Sequence, residues 1–194
     1  MSMQPGDWLA AAVVAAVFVQ LFVCFGDIAY YDENGQVELA QCALLFLAVI
    51  LFAHAAQQAK ERVTNHLLFA LSVFALTFLF RELEVESTRF GPLLEFTRRY
   101  ELKYVVLGLL WLALLAFALR HLRASLATGF RYLLTVTGRC LLAGCTLYLL
   151  GDAAEKQLIV ADPALSRMIE ESLETFGTLA IFLSAYGAWR RRVV

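Results

Sequence analysis

The chain has 194 residues, 61% of them hydrophobic and 17% charged, with a mean hydropathy of +0.69. That is far too apolar for a soluble domain of this size, and a formal net charge of −1 gives neither a basic surface for nucleic acid nor a globally acidic one. With no Ser/His/Asp order, phosphate-cradling glycine loop or nucleotide motif, the sequence reads as a single all-α, polytopic membrane domain over 1–194.

Six transmembrane helices are predicted, over 8–29, 37–57, 66–82, 104–120, 132–152 and 169–189. The first could be mistaken for a secretion signal, but Met1 to Asp7 contains no Lys or Arg, and Leu21-Phe22-Val23-Cys24 lacks the small residue that precedes a lipidated cysteine; a retained helix is expected. Asn34-Gly35 then marks a turn. Helix two opens with Glu38 and Gln41, and its purely apolar part, Ala43 to Ala53, is too short to span alone. Glu38 is therefore expected below the interface, the alternative being an acid placed to suit the helix dipole.

Helix three has the same shortage. Leu67 to Phe80 is fourteen residues, followed by Arg81-Glu82-Leu83-Glu84-Val85-Glu86, which gathers Glu82, Glu84 and Glu86 whether the segment is extended or helical. Arg81 is the internal counter-charge. The loop 87–103 contains Gly91-Pro92, a short interfacial helix around Leu93 to Phe96, and Arg98 and Arg99, read as solvated. Helix four is apolar apart from Trp111. Helix five carries Arg139, expected to snorkel to the interface or to meet Gln20, and ends in Asp152, with Lys156 four residues on. The last apolar run, Phe176 to Trp189, has fourteen residues, roughly 21 Å as a helix against a bilayer core of about 30 Å. Glu170, Glu171 and Glu174 must then enter the membrane, where a carboxylate is by default a functional candidate.

Six spans put both termini on one side. That side carries Lys60, Arg62, Arg120, Arg123, Arg131 and Arg190 to Arg192 with only Asp7 and Glu61 as acids, while fifteen of the seventeen acids fall opposite. The short loops favour cytoplasmic termini in a bacterial inner membrane. Trp8 and Trp189 mark the inner interface, and Tyr30, Tyr31, Tyr100, Tyr104 and Tyr148 the outer one. Ala11, Ala12, Ala15 and Ala16, and Ala180, Ser184 and Ala188, form small-residue stripes for close helix packing.

Helices two, three, five and six thus bring Glu38, Glu82, Asp152, Glu170 and Glu174 to a pocket on the periplasmic surface, with Arg81 and Lys156 balancing charge and Glu84, Glu86 and Glu171 in reserve. Carboxylates this close need cations, protons or hydrogen bonds. The leading expectation is a divalent cation, Mg, Ca or Mn, on these five acids, with chemistry on a lipid headgroup or phosphoester. The alternatives are a non-enzymatic subunit whose acids form a structural salt-bridge network or a partner surface, and ion or proton transport. His54, His66 and His121 lack paired spacing and are read as interfacial, not as zinc or haem ligands. Cys24, Cys42, Cys140 and Cys145 lack a C-x-x-C and are read as apolar filling. Membrane lipids are the expected partners, with a second copy of the chain or another protein as further candidates and no nucleic acid.

Glu38 at a helix start, Arg81-Glu82-Leu83-Glu84 at a helix end, Gly151-Asp152 followed by Lys156, and Glu170-Glu171-x-x-Glu174 together resemble uncharacterised small six-helix bacterial inner-membrane proteins. The likeness spans most of the chain and carries no known activity with it.

Overall fold

A computed structural model describes residues 5–24, 36–82, 102–158 and 160–190. Among these the chain is all-α, with seven helices and no strand: α1 Pro5–Cys24, α2 Gln36–Gln58, α3 Arg62–Glu82, α4 Leu102–Arg120, α5 Leu122–Leu134, α6 Val136–Glu155 and α7 Pro163–Arg190. The Asn34-Gly35 turn, Glu84, Glu86, the helix around 93–96, Arg98, Arg99, Tyr30, Tyr31 and Tyr100 lie outside the described residues.

The seventh helix is the first departure from the sequence reading. Residues 122–134 were expected to divide between a basic loop and the start of helix five; instead they form α5, bent by 106° from α4 at His121. The break after α5 is local chemistry. Thr135 has extended backbone, and its hydroxyl accepts the Gly138 N–H at 3.0 Å, the N-cap arrangement that starts α6 at Val136. Arg139 consequently stands one turn into its helix. It is exposed, and its guanidinium donates to the Leu134 carbonyl at 3.2 Å. Gln20 does not meet it, donating instead to the Gln36 carbonyl at 2.7 Å.

The start of the last helix is also corrected. Asp162 accepts the Ala164 N–H at 3.2 Å and Pro163 occupies the first helical position, where its missing N–H costs nothing. α7 therefore begins at Pro163 instead of 169 and runs 28 residues, roughly 42 Å. Glu170, Glu171 and Glu174 lie two to three turns inside it.

α7 is the axis of the molecule, packed between α6 and α2, with α1 outside. α2 and α3 form an antiparallel hairpin stitched by Asn65 to the Ala56 carbonyl at 2.7 Å and by Ser72 to the Val49 carbonyl at 2.9 Å. Phe52, Leu68, Tyr148 and Ile181 join α2, α3, α6 and α7 in one core. α1 docks through Val13, Val14 and Val17 onto Leu44, Leu179 and Phe182. Its alanine stripe, predicted to pack, faces outward: Ala11, Ala12, Ala15 and Ala16 are all exposed, because the larger valines on the opposite face make the contact. On α7 the stripe is inside, with Ser184 and Ala188 buried.

α2 and α3 are long and apolar enough to cross a membrane, and the bent α4–α5 pair makes a third if taken as one span. The described residues thus carry the prediction of six spans only in this coarser form.

Candidate functional site

The N-terminal end of α2, the C-terminal ends of α3 and α6 and the N-terminal half of α7 meet at one end of the bundle. They line an open cavity of about 350 Å³. Glu38, Glu82, Glu170 and Glu174 line it, joined by Glu155, Glu171, Arg81 and Arg167.

Arg81, in the last turn of α3, forms an ion pair with Glu174, and its Nε stands 3.9 Å from Glu82. Glu174 is 3% exposed. The guanidinium also lies over the ring of Tyr148, 5.7 Å from its centroid, a favourable placement for a cation on an aromatic face. Tyr148 is buried, its hydroxyl 2.6 Å from that of Thr178; the sequence had put it at the outer interface, but the crossing of α6 over α7 draws it inward. Gly151 of α6 makes room for the acid, since a Cβ there would come within 2.8 Å of Glu174 Cγ.

Glu171 is held differently. Gln41, fully buried on α2, donates its amide to the Glu171 carboxylate at 3.0 Å, the Glu171 carbonyl at 3.2 Å and the Thr175 hydroxyl at 3.0 Å. Its own Oε1 receives no hydrogen bond. Glu82 is 9% exposed, and its Oε1 likewise has no hydrogen-bond donor, Arg81 Nε being too far to supply one.

Of the five acids named as cation ligands, four line this cavity and Asp152 does not. Asp152 pairs instead with Lys156 on an exposed stretch of α6, so Lys156 balances that acid and not the cavity. Sequence reading passed over Glu155, Ser166 and Arg167 as lining residues and held Glu171 in reserve. Asp162-Pro163 was the available signal: read as a helix start, it places Ser166 and Arg167 one turn before Glu170 on one helix. Gln157, also at the rim, sits in the left-handed region with φ 53°, closing α6 through Leu158 N–H to Ala153 O and its own N–H to Ala154 O.

Six carboxylates and two guanidinium groups line the cavity, so it attracts positive charge. Among the described residues no three His, Cys, Asp or Glu side chains stand together as a ready ligand set for a metal ion. The histidines lie apart from it: His54 bonds Gln58 at 2.8 Å, while His66 and His121 flank Phe117 at 3.8 and 4.7 Å between ring centroids. Cys42, Cys140 and Cys145 are free thiols. Comparison with known proteins finds no matching family model, no matching curated protein and no matching solved structure.

Proposed function

We propose that the chain is a six-pass protein of a bacterial inner membrane, with cytoplasmic termini, that binds a divalent cation in the acidic cavity on the periplasmic side. The observation that carries the reading is Glu82: a carboxylate buried in the cavity wall with an oxygen that no donor satisfies. A bound cation would compensate such an oxygen, as a proton on the same carboxyl also would. Mg, Ca and Mn take oxygen ligands, and in a cavity of about 350 Å³ the ion keeps much of its water, using Glu82, Glu170 and Glu38 through it. That arrangement is compatible with carboxylates spread around a wall instead of gathered on one point. The phosphoester of a lipid headgroup is the substrate class such an ion would draw there, with membrane acyl chains alongside.

Support for a second reading, a non-enzymatic subunit with a structural network, comes from the contacts that tie helices. Arg81 to Glu174 joins α3 to α7, and Gln41 to Glu171 joins α2 to α7. The two readings separate in one experiment. An ion that binds only the folded protein raises its melting temperature with concentration, by about 2.7 kcal/mol of stability at a hundredfold excess over Kd. The purified protein should respond to Mg, Ca or Mn, lose the response with chelator, and lose it in Glu82→Gln. No response to any of the three ions leaves the structural network as the account of these acids.

A further inference from the structure

α5 is thirteen residues, roughly 20 Å, which is too short to cross a bilayer. Leu122, Leu126, Phe130 and Leu134 recur every fourth residue and so share one face. They are 49%, 64%, 65% and 58% exposed. The opposite face is anchored: Tyr132 is buried, with its hydroxyl 2.8 Å from that of Ser184 on α7. The apolar stripe is thus held outward by the fold and cannot roll into the core.

Its direction is set by the helix before it. α4 exposes Leu109, Leu112, Leu115 and Leu119, the surface of a helix standing in hydrocarbon. A helix bent by 106° from one that stands in the bilayer runs close to the membrane plane. Arg120 and Arg123 stand at one end of α5 and Arg131 at the other; among the described residues none of the three forms an ion pair. An apolar face flanked by arginines is the pattern of an interfacial helix that meets anionic headgroups, and of the three only Arg131 shares a cavity lining with an acid, Glu61. We infer that α5 lies in the membrane surface at the end of the bundle opposite the acidic cavity, and that Arg120, Arg123 and Arg131 hold anionic phospholipid there. The inference rests on the reading of α4 as lipid-embedded.

The test uses full-length protein in nanodiscs of mixed phosphatidylglycerol and phosphatidylcholine, with the native cysteines replaced and the melting temperature retained. Spin labels go on Leu115→Cys of α4, and on Leu126→Cys and Ala124→Cys on opposite sides of α5. The labels at 115 and 126 should relax with lipid-soluble oxygen, and the one at 124 with a water-soluble reagent. Wild-type protein should retain phosphatidylglycerol over phosphatidylcholine, and the triple variant Arg120→Gln/Arg123→Gln/Arg131→Gln should lose that preference about tenfold or more, on the scale of several-fold for each arginine. If position 115 is not in lipid, the membrane reading itself fails. If 115 is in lipid while 126 is in water or cross-links to a second copy, the inference about α5 is overturned. Equal lipid retention by wild type and triple variant overturns the assignment of anionic lipid.

Discussion

Glu174 keeps its place inside the protein because the Arg81 guanidinium reaches it from α3, and that dependence can be measured. Arg81→Met leaves a carboxylate only 3% exposed without its cation. The expected loss is about 2–3 kcal/mol, below the usual cost of breaking a fully buried pair because Arg81 is itself 43% exposed and water recovers part of it. Removing both charges in Arg81→Met/Glu174→Met should restore most of the stability, so a double-mutant cycle on thermal unfolding should give a clear coupling energy. A double variant as unstable as Arg81→Met would deny the pair any such role. Sequence reading could find Arg81 and Glu174 because charges inside apolar runs stand out. Gln41 on Glu171 could not be found that way: the contact spans 130 positions and depends on the register of α2 against α7.

At the scale of helices, the α6–α7 crossing fixes where Tyr148, Gly151 and Glu174 meet, and two glycines, Gly144 and Gly177, face each other across it. A Cβ on Gly177 would fall 2.9 Å from Tyr148 Cδ2 and 3.0 Å from the Gly144 carbonyl oxygen. Gly177→Ala should therefore cost about 1–3 kcal/mol through overpacking. Gly129→Ala on α5 is the contrast, since nothing lies within 4 Å of its Cβ; it should be neutral or stabilise by up to about 1 kcal/mol through helix propensity. Melting temperatures of the two variants check both, and equal effects would show that the crossing is not tight. The small residues on α1 drew attention in the sequence and turned out to face away, whereas Gly144 and Gly177 were not singled out. A stripe of small residues says that a helix can approach closely, but not which face is approached. α5 was missed for a related reason: its arginines dominated the reading of 120–131 as an inner loop, and the four-residue spacing of Leu122, Leu126 and Phe130 went unread.

For the whole molecule, the charge distribution and the helix directions bear on the same question of topology. The acidic cavity lies at one bundle end, and Arg62, Arg120, Arg123 and Arg131 belong to the opposite end, where α3 begins and α5 lies. Among the described residues only α2 and α3 are apolar enough to span on their own, yet under the six-pass proposal α7 needs little apolar surface because it is the enclosed axis, with Thr175, Thr178 and Ser184 buried against neighbours. Under the six-pass proposal hydropathy undercounts a central helix, while the outer helices carry exposed apolar groups such as Phe46, Leu112 and Leu149. Under the six-pass proposal, cysteines placed at Gln36 and Gln157, both exposed and both at the cavity end, should react with a membrane-impermeant maleimide from outside intact cells. A cysteine at Lys60, at the opposite end of the α2–α3 hairpin, should react only after permeabilisation. Reaction of Lys60→Cys from outside, with Gln36→Cys and Gln157→Cys protected, would invert the orientation and put the cavity on the cytoplasmic side. A split between Gln36 and Gln157 would break the six-pass arrangement itself, because it would place α2 and α6 on different sides of the membrane at an end of the bundle they share.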